Sequence, residues 1–263
     1  MQGRVSLLIG CLSLVLAGCG SNESVRHSDF NELTAAWVAR IHIDGSAHGV
    51  DKTSIVHNGR EILSIVGSAR FSVGPDGPRI DATTEVQAID GRPPSRGLIA
   101  LPDATYIRLS SDLAQAAGRP FFKLDPNRTD PFSLSFTAIA RGTRAIGSRL
   151  FCMTELGKAE IADVARGELD GVPVMSYRIN VDLATGSTVP TDTEFYRRLG
   201  FTDVQAVLDF DRDDRMLRCT VDQVLPGGNG RVFVQQRLSR FGEPVHITPP
   251  PADEVTTELP TSY

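Results

Sequence analysis

Residues 61–73, EILSIVGSARFSV, followed by GPDGP at 74–78 and RIDATTEVQA at 79–88, decide the fold. In the first run Leu63, Ile65, Ala69, Phe71 and Val73 share one face, and Ser64, Ser68, Arg70 and Ser72 share the other. In the second, Ile80, Ala82, Thr84, Val86 and Ala88 stand opposite Arg79, Asp81, Thr83, Glu85 and Gln87. A period of two sends alternate side chains to opposite faces of a pleated strand, so each run reads as a strand with one face buried and one in water. The Gly and Pro residues between them reverse the chain, and the two runs form a long hairpin.

The same alternation recurs outward from this hairpin. Strands are expected near 96–101, 104–109 and 120–124. Later, Met175, Tyr177, Ile179, Val181 and Leu183 line one face, then Val204, Ala206, Leu208 and Phe210, then Leu217, Cys219 and Val221, with a last strand over 231–241. Helices are expected near 28–39, capped by Ser28 or Asp29, and near 131–140 and 191–199, with shorter turns around 145–156. No compositional break divides these elements. They predict one α+β domain over residues 28–247, a curved antiparallel half-barrel sheet packed on a few helices. The tail 248–263 is Pro-rich and acidic and is expected to pack little.

The N-terminus carries a different signal. Arg4 precedes a short apolar run from Val5 to Val15, and Leu16-Ala17-Gly18-Cys19 follows as a lipoprotein processing box. The run is too short to span a bilayer comfortably. Residues 1–18 are read as a signal peptide, Cys19 as the lipidated residue carrying acyl chains such as palmitate, and 19–27 as a polar tether; an ordinary secretory signal with a chance cysteine is the alternative. Two or more acyl chains hold stably where one does not, which places the protein at the cell membrane, lipid-anchored on the extracytoplasmic side.

Removing residues 1–18 takes away Arg4 alone and leaves 26 basic and 32 acidic residues, a formal charge of −6. No basic cluster or aromatic-interleaved basic stripe points to nucleic acid. Of four cysteines, Cys11 leaves with the signal and Cys19 takes lipid. Cys152 and Cys219 remain in an oxidising compartment, which favours a disulfide over two buried thiols.

No catalytic motif is present. His27, His42, His48, His57 and His246 show no metal-ligand spacing, and there is no GxSxG elbow, phosphate loop or GxGxxG. Asp209, Asp211 and Asp213 begin like a calcium loop, but Asp214 stands at the sixth position and Thr220 at the twelfth, so the segment reads as a turn. Asp163, Glu168 and Asp170 read as a solvated segment around Leu169-Asp170-Gly171. No enzymatic activity and no cofactor are expected. Small residues interrupt the apolar faces, which leaves two readings open: a thin lining around a ligand cavity, or space filled by helices. The candidate lining is Leu63, Ile65, Ala69, Phe71, Ala82, Val86, Ala88, Met175, Tyr177, Ile179, Ala206 and Leu208.

Four segments carry a family likeness: GRPFFKLDPNRTDPFS at 118–133, ELDGVPVMSYRINVDLA at 168–184, LDFDRDDRMLRCTV at 208–221 and FGEPVHITPPPADEV at 241–255. In order and spacing they resemble actinobacterial envelope lipoproteins of the LppX/LprG type. The resemblance implies a fold similar to the carrier LolA, a half-open antiparallel barrel around helices with an apolar cavity. It also implies a membrane-anchored protein that binds or carries the acyl chains of a lipid or glycolipid. Only Cys19 transfers as a functional position, and a Cys152–Cys219 bridge is not general in that family. The alternative is a non-enzymatic structural or regulatory interaction lipoprotein with a filled core.

Overall fold

The computed structural model describes residues 26–88, 95–130, 132–134, 136–137, 158–184 and 196–259. Helix α1 (Phe30–Asp44) starts where the Asp29 side chain accepts from the Asn31 and Glu32 N–H groups and stops at Gly45, which adopts the left-handed conformation. It runs five residues beyond its expected end because no breaker precedes Gly45. Leu33, Trp37 and Ile41, four residues apart on one stripe, are fully buried.

Among the described residues twelve strands follow: β1 (Ser46–His57), β2 (Arg60–Gly74), β3 (Gly77–Ala88), β4 (Ser95–Ala100), β5 (Thr105–Leu109), β6 (Phe121–Lys123), β7 (Lys158–Leu169), β8 (Val172–Asp182), β9 (Asp203–Phe210), β10 (Met216–Val224), β11 (Gly230–Ser239) and β12 (Val255–Thr256). They form one open sheet in the order β12-β6-β5-β4-β3-β2-β1-β11-β10-β9-β8-β7. Every pairing is antiparallel except β12 with β6. Two meanders meet along the β1–β11 ladder, which runs from His48 opposite Ser239 to His57 opposite Gly230. A short helix α2 (Ser111–Ala117), capped by Ser110, follows β5.

The sheet curls. One contiguous core gathers side chains from α1, from β1–β3 and from β7–β11. In a flat sheet β3 and β7 would lie about 34 Å apart, seven strand spacings, too far to share a core one helix thick. Open sheets beyond roughly ten strands curl for the same reason of accumulated twist. A second core lies under β4–β6, where Leu98, Ile107 and Phe122 pack with Leu113 of α2 and with Phe132 and Phe136. On the opposite face Ile99 and Leu101 are covered by Ile247.

The curved antiparallel sheet over helices is the architecture expected from the sequence, with four corrections. Strands β1 and β7 were not expected. In β1 the inward positions include Asp51 and Thr53, and β7 carries a register shift between Ile161 and Asp163, so neither shows clean alternation. Asp163 and Glu168 accordingly sit exposed on a strand, while Asp170-Gly171 makes the expected turn. In β10 a shift between Met216 and Arg218 turns Met216 inward in place of Leu217. The C-terminal tail packs: Val255 and Thr256 pair with Phe121 and Phe122. An extended Pro-rich segment needs no partner of its own and can follow a free edge. The expected helices at 131–140 and 191–199 appear at 132–134, 136–137 and 196–198, with Leu199 in a turn and their other residues and the turns at 145–156 lying outside the described set.

Candidate functional site on the concave face

Register assigns each side chain to a face, because directly paired residues project to the same side. One row across the sheet runs Thr84, Gly67, Asp51, Gln236, Cys219, Leu208 and Tyr177. Parallel rows pair Ala82 with Ala69, Val86 with Ile65, and Ile179 with Ala206. The candidate lining residues of β2, β3, β8 and β9 therefore share the face that α1 covers.

That face is divided. Phe71, Tyr177, Ile179, Ala206 and Leu208 are at most 1% exposed and Ala69 is 6% exposed, closed off with Leu33, Trp37 and Ile41 of α1. Trp37 meets Phe241 edge-on at 6.5 Å, and Tyr177 meets Phe210 likewise at 5.7 Å. Leu63, Ile65, Ala82, Val86 and Met175 are only partly buried. Ala88 ends β3 opposite Leu63, and its side chain lies outside the described set. Around the partly buried group, Thr53, Thr84, Val234 and Gln236 are partly accessible too. The accessible half thus runs from β3 across β2 and β1 to β11.

This half holds a carboxylate. Asp51 Oδ1 accepts from Gln236 Nε2 at 2.7 Å. Burial pushes its carboxyl above the ordinary range, and the Gln236 hydrogen bond pulls against that shift. The composition of the strand gave no sign of this, since Asp51 in isolation reads as a surface residue; only the pairing of β1 with β2 and β11 turns it inward.

The remaining polar groups are organised as structure. Asp211 accepts from the N–H groups of Asp213 and Arg215, closing the β9–β10 turn that the sequence suggested. His27 meets Asp214 at 3.0 Å, while His42, His57 and His246 are exposed. Among the described residues no group of three or more His, Cys, Asp or Glu side chains is placed to hold a metal ion, and no helix is long and apolar enough to cross a membrane. Cys19 and Cys152 lie outside the described residues, and so does the pairing expected of Cys152 with Cys219. Cys219 itself faces the core at 3% exposure. A groove of about 850 Å³ on the opposite face of the sheet is lined by Ser68, Thr83, Glu85, Arg96 and Arg108, and a pocket of about 350 Å³ lies beside Met175 with Arg26, Arg166 and Arg212.

No family model matches the chain, and no curated protein matches it. Among solved structures, it is similar to LprF from Mycobacterium bovis at 16% identity, with a TM-score of 0.42 over 85% of this chain and 99% of that one. It is also similar to a putative outer membrane lipoprotein-sorting protein domain from Vibrio parahaemolyticus, at 12% identity and TM-score 0.31, covering 82% and 93%. A LolA superfamily protein from Nitrosomonas europaea aligns at 7% identity and TM-score 0.31, covering 81% and 93%. Residue roles rest on the geometry above.

Proposed function

We propose that this protein is a lipoprotein of the cell envelope, held on the extracytoplasmic side of the cell membrane by lipid on Cys19, that shelters the acyl chains of a lipid or glycolipid against the concave face of its sheet. The observation that carries this reading is the accessible half of an otherwise closed apolar face. Leu63, Ile65, Ala82 and Val86 remain partly exposed although they point the same way as the fully buried Phe71 and Ala206. Each acyl methylene moved from water to such a surface contributes about 0.8 kcal/mol, so a long chain binds without a dominant polar contact. The role is binding and carriage, without catalysis.

The half closed by α1 supports a second reading, a filled core whose outer surface engages a protein partner. Organic extraction of the purified protein followed by mass spectrometry separates the two. Recovery of a stoichiometric acylated lipid from protein carrying Cys19→Ala, which has no covalent acyl chain of its own, is the expected result. Protein that yields none, and that takes up none from vesicles, moves the function to protein interaction. The same variant tests the anchor: Cys19→Ala is expected to abolish incorporation of labelled palmitate and to release the protein from the membrane fraction or leave it unprocessed.

A further inference from the structure

The accessible half of the concave face carries hydrogen-bond acceptors that the described residues leave unpaired. Among the described residues, Gln236 Oε1 is buried with no hydrogen-bond partner. Its amide cannot simply be turned over, because its Nε2 is committed to Asp51 Oδ1 at 2.7 Å. Beside it, Asp51 Oδ2 stands over Gly67, where an added Cβ would come within 3.4 Å of that oxygen and within 3.3 Å of the Thr84 methyl. Gly67 therefore lets the carboxylate lie close against the β2 backbone, where a Cβ would be crowded. On the same face, on β10, Gln223 Oε1 is likewise buried and has no partner among the described residues. Unpartnered buried acceptors cost free energy, and an interior that presents acceptors without donors is completed by an occupant that donates.

We infer that the apolar site has a polar anchor, Asp51 with Gln236, which selects ligands whose head group donates hydrogen bonds, a hydroxyl-bearing amphiphile in particular. This rests on the proposed acyl-chain binding and specifies which amphiphiles that site takes. The carboxylate oxygen and the Gln236 carbonyl oxygen accept from one or two hydroxyls, while the chain lies along Leu63, Ile65 and Val86. A head group offering only acceptors would leave both oxygens unpaired and add its own lone pairs against them.

The test uses delipidated protein with Cys19→Ala and two probes with the same oleoyl chain: 1-monooleoylglycerol, and the same molecule with both hydroxyls O-methylated. Titration calorimetry reads both affinities. Monooleoylglycerol is expected to bind at least about tenfold more tightly, the worth of roughly one well-made hydrogen bond to a charged acceptor. Asp51→Ala and, separately, Gln236→Met are expected to bring the two affinities within about twofold, by weakening monooleoylglycerol and relieving the lone-pair repulsion on the methylated probe. Circular dichroism of each variant checks folding, and the probe comparison in the parent protein stands even where a variant does not fold. Equal affinity of the two probes in the parent would assign the acceptors to water and overturn the anchor while leaving acyl-chain binding intact. Failure of both probes to bind would overturn the acyl-chain reading and this inference with it.

Discussion

Asp44 ends α1 with 4% of its side chain exposed, taking Arg40 at 2.6 Å and Arg215 at 2.8 Å. It ties the helix to the β9–β10 turn. Burial pushes its carboxyl up, but the hydrogen bonds from Arg215 and Arg40 outweigh burial and hold it at about 2. A carboxyl whose folded value lies below its unfolded one stabilises the fold above the unfolded value, and that contribution is lost as pH falls through the folded value. Asp44→Asn is expected to cost about 1–3 kcal/mol at neutral pH. In urea titrations the gap between parent and variant should close as pH falls from about 4 toward 2; a gap independent of pH in that range would rule the ion pair out as its origin. Ala82 and Ala206 make a second comparison. Ala206, fully buried, faces a closed core, so Ala206→Leu is expected to cost about 1–3 kcal/mol in the delipidated protein. Ala82 is partly accessible, so Ala82→Phe should change thermal unfolding little while lowering recovery of co-purifying lipid. Alternation placed both residues on the inner face from sequence alone. It could not say which was covered, because that depends on where a helix 38 residues or more away in the chain comes to lie.

At the level of elements, legibility followed the regularity of the strands. The β2–β3 hairpin, with twelve paired positions from Leu63–Ala88 to Gly74–Gly77, was readable because nothing interrupts its period. β1 and β7 were not, because a bulge shifts the side-chain phase by one residue and a single inward carboxylate removes the apolar signal. Turn chemistry was more reliable than strand chemistry: Asp170 (φ 52°) and Gly171 (φ 83°) join β7 to β8 as two consecutive left-handed residues. Such a two-residue turn matches strand twist and favours Asp-Gly or Asn-Gly. Gly171→Val is expected to cost about 1–2 kcal/mol, since a β-branched side chain is strained at positive φ, whereas Gly171→Asn should lie within about 1 kcal/mol of the parent. Chemical denaturation of the two variants side by side checks this. Equal losses would mean that the turn, rather than its φ, had been disturbed.

The whole molecule depends on a seam. Among the described residues the two meanders, β1–β6 and β7–β11, meet within the sheet through the β1–β11 ladder, and Cys219 lies directly beside it, opposite Gln236 of β11. A bridge from Cys219 to Cys152 would bind the chain segment preceding β7 to the strand next to the seam, closing a loop that contains β7, β8 and β9. The sequence offered the pair by elimination and could not place it, since spacing along a chain says nothing of separation in space. A crosslink between residues 67 apart is worth roughly 4 kcal/mol through restriction of the unfolded chain, a comparable size to the whole margin of many domains. Both thiols are therefore expected to resist alkylation in the unfolded, unreduced protein and to label only after reduction. The reduced protein should unfold at lower urea with a larger denaturant slope, because the unfolded chain it releases is more expanded. Labelling of both cysteines before reduction would mean that no bridge closes the loop over β7, β8 and β9, and that half of the sheet would be held by backbone pairing and the α1 core alone.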